Sequence, residues 1–127
     1  MTKLYISNED DIFGYETGPS LINRMGLTTQ VPKNIYISTN NIRVTNSFEN
    51  VELVKPTVKI TKENYKYLQI LDVISNKYNV PFEASNSNEI IKKLIKDNGL
   101  NFEKLLYYSR FYKDNKIFKK LAFLAEL

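Results

Sequence analysis

The 127-residue chain has no cysteine, no histidine and no tryptophan, and only four glycines and four prolines. Without thiols or imidazoles there are no disulfides, no thiol nucleophile, no Ser-His-Asp arrangement and no zinc site of the usual Cys/His kinds. Most enzyme classes are thereby disfavoured, and the sequence predicts neither a catalytic group nor a cofactor. Long apolar runs are also missing. Nothing approaches the roughly twenty apolar residues of a membrane helix, and the first residues lack a basic-then-apolar leader pattern. The expectation is a cytoplasmic chain with no membrane attachment.

What the chain does have is aromatics, nine Tyr and seven Phe, and a net charge of +4. Residues 1–60 hold six Lys/Arg against six Asp/Glu, and residues 61–127 hold twelve against eight, so the excess lies in the second half. An acidic partner or a phosphate backbone would meet that half. The length predicts one domain, residues 1–127, that buries roughly two thirds of its unfolded surface.

Three of the glycines and two of the prolines fall between Gly14 and Pro32. Gly18-Pro19 suits a helix start, since proline is tolerated where an N–H would have no intrahelical partner. Leu21, Ile22 and Met25 give one apolar face. Gly26 suits a left-handed helix stop, with Leu27 folding back on the last turn as in a Schellman cap. Thr28-Thr29-Gln30 supplies side chains for a turn, Val31-Pro32 an extended approach, and Ile35-Tyr36-Ile37 a strand. The unit is helix, turn, strand, read as filling core. These glycines do not form a phosphate-binding loop, because no Lys-Ser or Lys-Thr follows them.

Elsewhere in the first half, Lys3–Ser7, Ile42-Arg43-Val44, Val51–Val54 and Val58-Lys59-Ile60 read as short strands, with Pro56 at a strand end or edge. Adjacent Glu9, Asp10 and Asp11 could hold a hard cation, but without further ligands at regular spacing a solvated loop is the simpler reading.

From Thr61 the period changes to helical. Thr61 caps a helix whose face carries Tyr67, Leu71, Ile74 and Tyr78, and Asn79-Val80-Pro81 ends it. A second helix starts near Asn86 or Ser87, with Glu89 completing a capping box, and stops at Asn98-Gly99. It buries Ile90, Ile91, Leu94 and Ile95 and turns Lys92, Lys93 and Lys96 outward, as a solvated face or a contact. A third runs from about Phe102 to Tyr112, with Phe102, Leu105, Leu106, Ser109 and Tyr112 inward and Lys104, Tyr107, Arg110 and Phe111 outward. The last, from about Lys116, buries Ile117, Phe118, Leu121, Leu124 and Ala125. Its other face carries Lys116, Lys119, Lys120 and Phe123. An aromatic among lysines stacks on a base, anchors a protein interface, or is covered by a neighbouring helix.

The predicted fold class is α+β, a small antiparallel sheet with one short helix followed by about four helices. The predicted partner-binding residues are Lys92, Lys93, Lys96, Lys104, Tyr107, Arg110, Phe111, Lys119, Lys120 and Phe123.

The wording of Gly14–Asn41, above all Gly14-Tyr15, Thr17-Gly18 and Gly26-Leu27-Thr28-Thr29-Gln30-Val31-Pro32, resembles the AbiEi-like antitoxin domain of bacterial type IV toxin-antitoxin and abortive-infection systems. The resemblance runs on through Val51–Ile60 and Thr61–Ile74. It implies a non-enzymatic inhibitor that neutralises a toxin with a nucleotidyltransferase fold. In that family an N-terminal winged helix is credited with operator repression. This chain begins a dozen residues before the motif, so the expectation is the antitoxic part alone. Two alternatives stand beside it: a phage or mobile-element inhibitor of a defence effector, such as an anti-CRISPR, and direct RNA or DNA binding by the basic C-terminal half. The toxins' own Gly-Ser and Asp-x-Asp signature is absent.

Overall fold

A computed structural model describes residues 7–8, 11–40 and 50–127. Strands β1 (Ser7–Asn8) and β2 (Asp11–Ile12) form a minimal antiparallel pair. A three-stranded sheet follows, ordered β3 (Gly14–Thr17), β4 (Ile35–Thr39), β5 (Val51–Val54), with helix α1 (Gly18–Arg24) between its first two strands. The second half is helical: α2 (Tyr65–Ser75), α3 (Ser87–Asp97), α4 (Phe102–Ser109) extended by a 3-10 turn (Arg110–Tyr112), and α5 (Asn115–Glu126). The class is α+β with a helical C-terminal half, as predicted.

Helix α1 stops where its glycine requires. Gly26 takes φ +80°, its N–H reaches Asn23 O at 3.0 Å and the Leu27 N–H reaches Ile22 O at 3.2 Å. This reciprocal pair is the Schellman pattern, and it drives Leu27 into full burial. The Ser20 hydroxyl then accepts the Tyr36 N–H at 2.9 Å, tying α1 to the start of β4.

The sheet is mixed rather than antiparallel. β3 and β4 pair antiparallel, Tyr15 opposite Ser38. β4 and β5 run parallel, Ile37 opposite Leu53. Alternation has the same period of two in either direction, so the pattern alone carries no polarity. Val58-Lys59-Ile60 is not a strand. Instead the Asn40 side chain donates to Ile60 O at 2.7 Å and accepts from Ile60 N at 2.9 Å, imitating one rung of a ladder. The predicted strands at Lys3–Ser7, apart from Ser7, and at Ile42–Val44, with the carboxylates of Glu9 and Asp10, lie outside the described residues.

Thr61 and Asn64 bond each other's backbone N–H through their side chains, and α2 proper begins at Tyr65. The helix ends earlier than Pro81 implied. Asn76 turns left-handed at φ +47°, and its amide closes a loop on both polar groups of Val80. Tyr67, Leu68, Ile70, Leu71 and Val73 are all buried, because α2 packs against β3, α1, α4 and α5 at once. One core therefore joins both halves: Leu21, Ile22 and Leu27 meet Leu71, Ile91, Leu105, Ile117, Leu121 and Leu124. Each such fully buried side chain contributes about 2 kcal/mol.

Three helical expectations change. Asn86 flanks α3 without a side-chain cap, so the capping box with Glu89 does not form. Leu106 is exposed while Tyr108 turns half inward in its place. In α5 the stripe is Ile117, Leu121 and Leu124, which leaves Phe118 and Ala125 exposed on its flank, about 100° of helical rotation away.

Candidate functional site

Asn101 caps α4 by accepting from the Glu103 and Lys104 N–H groups, and Leu105 and Ser109 pin the inner face of the helix. The outer face is thereby fixed. Tyr107 is 49% exposed and Phe111 38%, their rings 5.7 Å apart and nearly perpendicular. The Arg110 guanidinium carbon lies 4.5 Å from the centroid of the first ring and 5.4 Å from that of the second. Cation–ring contacts at exposed sites contribute about 0.5–1 kcal/mol, which favours this arrangement over the alternatives by a factor of a few. On α5, Lys120 Nζ lies 6.0 Å from the ring of Phe123, and Lys119 is exposed. Phe118, assigned to the core by its spacing, is 59% exposed and adds an aromatic that sequence reasoning missed.

The predicted residues therefore divide. Tyr107, Arg110 and Phe111 come together, with Lys104 exposed on the same helix, and Lys120 and Phe123 form a second pair. Lys92, Lys93 and Lys96 lie on α3 and make no ring contact among the described residues. Lys93 and Lys96 are exposed as expected, but Lys92 is half-buried at the edge of the apolar stripe. Among the described residues the only ion pair is Arg24–Glu16, so none of these cations is neutralised there by a carboxylate within ion-pair distance.

A second constellation was not foreseen. Asp72 of α2 receives the Tyr15 hydroxyl at 2.6 Å, the Thr17 hydroxyl at 2.7 Å and the Tyr112 hydroxyl at 2.5 Å. Three elements, β3, α2 and the 3-10 turn, thus meet on one carboxylate. Desolvation raises the Asp72 pKa above its ordinary value, against the pull of the three hydroxyls. Burial also pushes the Tyr15 and Tyr112 phenols up, reinforced by the neighbouring carboxylate. The Tyr112 oxygen is also 3.1 Å from Leu68 O. With one proton to give, the phenol serves Asp72 when the carboxylate is ionised. Although packed among these groups, Asp72 keeps partial access through a cavity of about 370 Å³.

The third feature fixes the Thr28-Thr29 turn. Glu83 Oε1 accepts the Thr28 hydroxyl at 2.6 Å, the Thr29 N–H at 2.7 Å and the Thr29 hydroxyl at 2.9 Å. Its own N–H and that of Ala84 both bond Leu27 O. The hydrogen bonds from Thr28 and Thr29 lower the Glu83 pKa.

No group of three or more metal-ligating side chains occurs among the described residues, and no helix there is long and apolar enough to cross a membrane. Compared with family models, curated proteins and solved structures, the chain finds a match in none of the three.

Proposed function

We propose that the chain is a non-enzymatic inhibitor that acts in the cytoplasm by protein–protein contact, in the manner of a type IV antitoxin against a nucleotidyltransferase-fold toxin. The observation that carries this reading is the Tyr107–Arg110–Phe111 stack, an exposed cluster in which Tyr and Arg, types that dominate interface energetics, meet a second aromatic ring. Charge complementarity selects the partner's surface. Residues 101–127 carry six Lys/Arg against three Asp/Glu, so an acidic face on the partner is steered toward α4 and α5. The resemblance of Gly14–Ile74 to the antitoxin domain supplies the class of partner, and that segment's own role is to build the core on which α4 and α5 rest.

The test is an affinity pull-down of the tagged chain from its native host lysate, with and without nuclease, read by mass spectrometry. The expected result is nuclease-resistant recovery of a nucleotidyltransferase-like protein, lost when Tyr107, Arg110 and Phe111 are replaced together by alanine. The triple variant is expected to keep its unfolding free energy within about 1 kcal/mol, since the side chains are exposed. Unchanged recovery by that variant would overturn the site. A defence effector in its place would point to a mobile-element inhibitor, and loss on nuclease treatment to direct nucleic-acid binding.

A further inference from the structure

Three lysines from three separate parts of the chain converge on one cavity. Lys55 follows β5, Lys77 follows α2 and Lys116 sits in the first turn of α5, and all three line the space of about 370 Å³ into which Asp72 opens. None is in an ion pair among the described residues. The remaining lining carboxylate, Asp114, is engaged as the cap of α5, accepting the Lys116 N–H at 2.9 Å. The lining thus carries three lysines against two carboxylates, with Lys77 near enough to Asp72 to act on it, and its floor offers hydrogen-bond acceptor capacity.

An aromatic side chain lines the same cavity. Tyr78 packs against Tyr36, ring centroids 5.1 Å apart, yet stays 39% exposed. It lies so close to Gly18 that a Cβ there would be 3.1 Å from the Tyr78 ring, and Gly18 holds φ +65°, a conformation other residues take only with strain. The backbone at this point is shaped around the ring. The volume falls within the roughly 300–1,000 Å³ of small-molecule sites.

From the convergence of these lysines above Tyr78 and Asp72, we infer that the cavity binds a nucleoside monophosphate. The phosphate sits among the ammonium groups of Lys55, Lys77 and Lys116, whose three positive charges favour a phosphate dianion. The base packs against the exposed part of the Tyr78 ring, beside Lys77, whose Nζ lies 5.9 Å from the ring centroid. A donor on the base reaches Asp72 Oδ1, which takes one hydroxyl where Oδ2 takes two. This inference is independent of the partner-binding reading, because Tyr107, Arg110 and Phe111 do not line the cavity.

The test is isothermal titration calorimetry of the full chain with GMP, AMP, CMP and UMP, beside guanosine and inorganic phosphate. The expected result is one-to-one binding of at least one nucleotide, at least about tenfold tighter than either guanosine or phosphate, with each of Lys55→Ala, Lys77→Ala and Lys116→Ala weakening it by about tenfold. The three lysines are exposed, so these variants keep the fold, which circular dichroism checks. Absence of any nucleotide binding tighter than about 1 mM would overturn the inference. So would phosphate binding as tightly as the nucleotides, which would reduce the site to an anion trap, or binding indifferent to all three lysines.

Discussion

Asp72 and Glu83 each accept three hydrogen bonds from protein donors, yet the consequences are opposite. Asp72 sits where β3, α2 and the 3-10 turn meet, and lost hydration outweighs its three hydroxyl donors, so its pKa goes up. Glu83 faces water, loses almost no hydration, and its donors drive its pKa down. The number of hydrogen bonds does not set the sign. What decides is whether the donors replace water or add to it. The half-buried hub is therefore a strong point of stability whose loss strands its donors, and the exposed clamp is a local fastener whose donors can turn to solvent.

The largest effect that separates the two regions is expected from Asp72→Ala, which leaves the Tyr15, Thr17 and Tyr112 hydroxyls without their acceptor. Urea unfolding should show a loss of about 3–5 kcal/mol, and a loss below about 1 kcal/mol would mean that water replaces the carboxylate without penalty. Tyr112→Phe removes a single donor and keeps the ring, so about 1–2 kcal/mol is expected by the same measurement.

The pH dependences should have opposite slopes. The folded pKa of Asp72 lies above its ordinary 3.8, so its contribution is complete below that value and is lost as pH rises through the folded pKa. That of Glu83 lies below its ordinary 4.5, so its contribution is present above 4.5 and is lost as pH falls through the folded pKa. Carboxyl chemical shifts followed by NMR from pH 2 upward should place the two midpoints on either side of the ordinary range, and midpoints in the same direction would break the comparison. The smallest effect belongs to Glu83→Gln. Its melting temperature should move less than that of Tyr112→Phe, while the Thr28 and Thr29 amide resonances shift markedly.

Much of this was readable from particular residues. Gly26 and Leu27 announced the end of α1, the change of period at Thr61 announced the helical half, and the outward turn of Tyr107, Arg110 and Phe111 followed from helical spacing. The parallel run of β5 beside β4 was not readable, because alternation is blind to direction. Phe118 deceived because an aromatic one step off the stripe of Ile117, Leu121 and Leu124 looks like part of it. Asp72 gave one usable signal. It lies between Leu71 and Val73 in a helix apolar on most sides, where a carboxylate is seldom left without partners. Which partners it takes is decided by residues 40 to 57 positions away, beyond the reach of any local pattern. Glu83 gave none, since it stands in an irregular segment without a period to break.

Those separations also bear on synthesis. Tyr15 and Thr17 leave the ribosome 57 and 55 residues ahead of the carboxylate they bond, and Tyr112 follows it by another 40. At roughly 5–20 residues per second the first two hydroxyls wait about 3–11 s for Asp72, and the hub closes only several seconds later. Through that interval the nascent β3 has no α2 to cover it, so the newborn chain is open to misassociation at the same strand that the finished protein ties to α2 through two hydroxyls.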